Sequence, residues 1–130
     1  MSALSKSGKP SPATTNFGYE HKHALIAGEA IAQGDACYIK SDGKAWLATG
    51  AAANAAAVVD GFAMSDCVAG DAVTLVFGIT INYGSGMTPG TAYYLSGTTA
   101  GGLDTATSTG GTVVVARAVD ATRLYVRKSY

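Results

Sequence analysis

The sequence predicts an all-β fold: a small β-barrel or β-sandwich built from two similar β units, preceded by an extended N-terminal arm. Three observations predict it. Short runs rich in Val, Ile, Tyr and Thr recur from residue 20 onward, each bounded by Gly or Asp. No window shows a helical apolar period. Residues 31–47, IAQGDACYIKSDGKAWL, are echoed by residues 87–103, MTPGTAYYLSGTTAGGL. In that echo Gly34 corresponds to Gly90, Ala36 to Ala92, Tyr38 to Tyr94 and Ile39 to Leu95.

Residues 1–19 read as the arm. They combine Ser, Thr, Lys, Pro and Asn, and Pro10 and Pro12 favour extended chain. Such a segment cannot bury enough surface to fold alone. It is expected to be disordered in the free protein, to order on a partner, and to be removable without loss of the fold. Residues 20–130 form the β-domain, with repeat halves at 24–83 and 84–130. EHKHALIA opens the first strand, and DACYIK turns through Ser41-Asp42-Gly43 into KAWLA. GAAANAAAVV is a loop or a single helical turn between strand-like flanks. AVVDGFAM, then a Gly70-Asp71 turn, then VTLVFGITINYG follow, and TAYYL, TVVVARAV and TRLYVRK complete the set. VVDGFAMSD, from residue 58, lies over the stretch from Val113 at a spacing of 55 residues. The two halves are expected to pack face to face, because neither can bury its apolar side alone. Leu75 and Val114 are expected to point inward.

The chain has 130 residues, enough for one domain. Only 14% of them are charged, against roughly 25% in ordinary soluble proteins. A surface so poor in charge points to cover by a partner. The net charge is zero but unevenly spread. Residues 1–23 carry +2, residues 24–116 carry −5, and residues 117–130 carry +3. Nucleic-acid binding calls for a larger basic excess, so none is expected. No apolar run approaches membrane length, and no membrane partner is expected. Cys37 and Cys67 lack metal-ligand spacing and sit among apolar residues. They read as two buried free thiols, with a disulfide between them as the alternative.

The sequence holds few residues in patterns that carry chemistry. His21 and His23 share one face of a strand, a fair geometry for two metal ligands, but no third ligand is evident. Gly84, Gly86 and Gly90 miss the dinucleotide-binding spacing and read as turns. No nucleophile-elbow motif accompanies the Ser, His and Asp residues. Asp35, Asp42, Asp60, Asp66 and Asp71 lie beside Gly or in turns, where Asp bonds its own backbone. Tyr38, Trp46, Tyr93 and Tyr94 could line a sugar platform or pack a core. The expectation is a protein that is not an enzyme, with no catalytic residue, cofactor or metal.

Gly28-Glu29-Ala30, Gly34-Asp35, Asp42-Gly43 and Ala69-Gly70-Asp71 carry a family resemblance. They sit in IAGEAIAQGDACYIKSDGKAW and VVDGFAMSDCVAGDAVTLVFGI, which resemble the capsid decoration (cement) proteins of tailed bacteriophages. TPGTAYYLSGTTAGGL and VVVARAVDATRLYV look like segments of phage head-fibre and tail-associated proteins. The resemblance covers about residues 24–127 and leaves out the N-terminal arm. It implies a structural virion protein, assembled in the host cytoplasm and bound to the outer capsid surface. There it would bridge major capsid protein subunits and stabilise the DNA-filled head. Its implied partners are the major capsid protein and other copies of itself, as a trimer or a dimer. Candidate contact residues are Lys6, Lys9, Phe17 and Tyr19 in the arm and Arg123, Arg127 and Lys128 at the basic end. The competing reading is a receptor- or carbohydrate-binding module of a fibre or tail. A trimeric coiled coil or a long fibrous repeat would favour it, and the sequence has neither.

Overall fold

The computed structural model describes residues 3–13 and 20–130. Its strands are β1 (Ser11–Pro12), β2 (Glu20–Ile26), β3 (Ala36–Ile39), β4 (Ala45–Leu47), β5 (Gly61–Ala63) and β6 (Ala72–Phe77) in the first part of the chain. The rest are β7 (Ile79–Asn82), β8 (Ala92–Leu95), β9 (Leu103–Asp104), β10 (Val114–Ala118) and β11 (Arg123–Val126). One 3-10 turn, Ala55–Ala57, is capped by the Asn54 side chain. The strands make two antiparallel sheets, ordered β2-β6-β5-β3-β4 and β1-β7-β11-β10-β8-β9. The protein is therefore all-β and sandwich-like, without a closed barrel. A bridge from Ala27 to Ala45 only draws one end of β2 toward β4.

Turn chemistry sets these strands, as the Gly and Asp punctuation predicts. Gly34 and Gly90, the matched glycines of the echo, both take positive φ, 92° and 86°, just before β3 and β8. In the β3–β4 hairpin the Asp42 carboxylate accepts from the Lys44 N–H at 2.9 Å. Asp35, Asp71 and Asp120 cap local N–H groups in the same way.

The duplication extends to hydrogen-bond register. His21, Val76, Phe62 and Ala36 stand side by side across the first sheet. Thr80, Tyr125, Arg117 and Ala92 stand side by side across the second. Strand for strand the order is the same, and β1 is added outside β7. Each unit has a front, which carries these rows, and a back.

The two units share one core, but they do not meet through equivalent faces. Ala36, Tyr38, Phe62 and Val76 of the first front join the main core. From the second unit, that core takes the back: Tyr93, Leu95, Leu103, Ala118 and Leu124. The apolar faces of the two units thus pack on each other front to back. The physical reason lies in the side chains. The second unit has Arg117 and Tyr125 where the first has Phe62 and Val76, so its front stays in water while its apolar back seeks cover. The first unit's back closes over a smaller cluster of its own, with Ile31, Cys37, Cys67, Val73 and Leu75. Leu75 is buried as expected; Val114 is not, and Val115 takes the core position. The register shift between Val114 and Ala116 accounts for this, because a bulge moves the alternation by one residue.

Both cysteines are free and buried in that smaller cluster. Burial, with Asp35 nearby, pushes the Cys37 thiol far above its ordinary range. Thiolate is the reactive form. A thiol reagent is therefore expected to label both cysteines slowly in native buffer and fully in denaturant. Fast labelling of two thiols without denaturant would contradict the burial.

Of the stretch read as an arm, residues 3–13 lie on the domain itself. The Leu4 N–H donates to Leu103 O, that of Ser7 to Tyr83 O, and that of Ala13 to Thr80 O, at 2.6, 2.8 and 2.9 Å. Pro10 is fully buried, its ring lying where a Cβ on Gly34 would fall. Lys6 pairs with Asp35 and Lys9 with Asp66. The segment therefore straps the two units together. It needs no stability of its own, since β7 supplies a strand edge and Gly34 a hollow.

Candidate protein-binding face

The outer side of the six-stranded sheet is the second unit's front. Alternation along β11 sends Leu124 and Val126 into the core and Arg123 and Tyr125 outward. Arg127 follows one step beyond the strand and is exposed. Across the register, Arg117 on β10 stands opposite Tyr125, which is 44% exposed. Arg117 Nη2 donates to Gly90 O at 3.0 Å, which holds the guanidinium along the face. Arg123 Nε donates to Asp120 Oδ2 at 2.7 Å. The result is a cationic sheet face with an aromatic ring near its middle. Arg and Tyr bury large area and bond through planar or amphipathic heads, which makes them common anchors in protein interfaces.

The residues expected to meet a partner do not form one cluster. Arg123 and Arg127 share this face. Lys6 and Lys9 are tied to carboxylates of the first unit. Lys128 lies over the rings of Phe77 and Tyr130, at 4.6 and 4.9 Å from their centres. Phe17 and Tyr19 lie outside the described residues. Arg117 and Tyr125 were not singled out from the sequence. Alternation in TRLYVRK already puts Tyr125 with Arg123 and Arg127, but Arg117 joins them only through strand register.

A second polar group ties the C-terminal end to the first unit. Asp60 accepts from Ile39 N–H at 2.8 Å, from Lys22 Nζ at 2.9 Å and from the Tyr130 hydroxyl. Ser129 N–H donates to Val59 O at 3.0 Å. Burial pushes the Asp60 carboxyl up, but the bonds from Tyr130, Ile39 and Lys22 outweigh it and hold it below the usual carboxylate range. Burial pulls the Lys22 ammonium down, but its bonds to Tyr130 and Asp60 hold it above its ordinary value. A depressed carboxyl stabilises the fold above its unfolded pKa, and that contribution fades as the pH falls through its folded value. Tyr130→Phe removes one donor and is expected to cost about 1 kcal/mol at neutral pH. The gap to wild type should narrow in acid, where Asp60 is protonated in both proteins. Urea titrations at the two pH values check this, and an equal gap at both would contradict it.

Tyr38 and Tyr93 are buried in the main core. Trp46 packs over Gly28, with Lys40 Nζ 4.4 Å from its ring centre. These aromatics therefore do not form an exposed row. Among the described residues there is no pocket, and no three of His, Cys, Asp and Glu gather to hold a metal. Among the described residues no helix is long and apolar enough to cross a membrane. Neither a protein-family model nor a curated protein matches the chain.

Proposed function

We propose that this protein is a structural virion protein that binds the outside of an assembled bacteriophage capsid, bridges major capsid subunits and stabilises the DNA-filled head. The observation that carries this reading is the open front of the second unit. A broad sheet face with Tyr125 among Arg117, Arg123 and Arg127 suits another protein surface better than a small molecule. The resemblance of residues 24–127 to decoration proteins supports it, as does the scarcity of charge on the surface. In this role each contact can be weak, because repetition over a symmetric shell multiplies them. The strap through Lys6 and Lys9 would keep the two units rigid under the load.

The test is selective binding. Purified protein is mixed with expanded heads assembled without it, and separately with dissociated capsid subunits. Co-sedimentation with the expanded heads alone is expected. No binding to heads would contradict the proposal.

A further inference from the structure

We propose that the second unit's front is a head-to-tail self-association face, which receives the back of the first unit of another copy. The inference rests on the structural-protein reading above and narrows it: the protein surface that the open front fits is another copy of this chain, and copies linked through it would bridge the capsid subunits beneath them. Two independent observations carry it.

The first is the packing inside the chain. By register, Arg117, Tyr125 and Ala92 occupy the positions that Phe62, Val76 and Ala36 occupy in the first unit. In the first unit those positions form the docking face against its neighbour. The same face of the same β unit is thus used once within the chain and left open once. Front-to-back contacts are heterologous, so their repetition links successive copies into a closed ring or a filament.

The second observation is charge. Residues 27–33 and 65–71 cover the back of the first unit, joined by the bridge between Ile31 and Cys67. They carry Glu29, Asp66 and Asp71 and no Lys or Arg. Lys9 offsets Asp66, as Asp120 offsets Arg123 on the front. Val68 stands 63% exposed among these acids, an apolar group for Tyr125 to meet. The basic front and the acidic back of one molecule are complementary to each other, whereas two fronts would repel. Complementary charge selects the partner face and sets the register, and apolar contact supplies most of the affinity.

The test uses the free full-length protein, with no heads present, so its failure is separate from failure of capsid binding. A front variant carries Arg117→Glu and Arg127→Glu. A back variant carries Val68→Arg and Ala69→Arg, at exposed positions whose side chains hold no turn together. Sedimentation velocity across the micromolar range reads the association. Wild type is expected to associate with concentration and less so in high salt. Each variant alone should associate on the order of a hundredfold more weakly, because like charges now face each other. An equimolar mixture should recover association, since the acidic new front meets the basic new back. Misfolding cannot produce that recovery. A wild type that stays monomeric, variants that associate like wild type, or a mixture that fails to recover would each overturn the proposal.

Discussion

Phe62→Ala is expected to destabilise the protein by about 3–5 kcal/mol. Phe62 is fully buried at the junction of the two units, paired across the sheet with Ala36 and Val76. Its strand is only three residues long, and its neighbours there are Gly61 and Ala63. Neither can swing into the space that the ring leaves, and a Cβ on Gly61 would already crowd Leu75. The cavity therefore stays open, and cavity cost adds to the lost transfer energy. Urea titration measures it as a fall in midpoint at constant m-value. A loss below about 1 kcal/mol would mean that the ring is not at the junction and that the front-to-back order is wrong.

Deleting residues 2–13 should be nearly as damaging. Read as sequence, this stretch is a dispensable arm. In the structure it buries Pro10 and Ala13, packs Leu4 on the main core and pairs with the edge of β7. Burial of the larger apolar groups alone is worth on the order of 3 kcal/mol. The deletion also strips Asp35 of its Lys6 partner and leaves the β7 edge open for pairing with other chains. A melting temperature that falls by several degrees, with aggregation on heating, is expected. An unchanged melt would show that the strap is not docked in solution.

These two effects mark where the sequence was legible and where it was not. The β class and the repeat were readable because turn residues act locally. Gly34 and Gly90 must each reach positive φ before a strand, and their matched spacing shows through the sequence. Packing order was not readable, because it depends on which side of each strand is covered. Phe62 and Arg117 hold equivalent places, and only the register shows that one faces a core and the other faces water. Val114 illustrates the same limit within one strand, since the bulge that puts Val115 inside leaves no mark in the run of three valines. The strap was unreadable for a different reason. Pro10 looks like an arm residue until Gly34, remote in sequence, provides its hollow. Of the candidate face, Arg123 and Arg127 were legible from charge, whereas Arg117 needed the pairing of β10 with β11.

The proposed role is stabilisation of an assembled shell. A protein that binds the expanded head and not its free subunits must stabilise the head by linkage, by ~2.7 kcal/mol per site at a hundredfold excess over Kd. The most direct measurement is the temperature at which DNA-filled heads release their DNA, with and without this protein. Bare heads should release DNA at lower temperature than decorated ones, and added purified protein should restore the higher value. Release at the same temperature from bare and decorated heads would contradict that role.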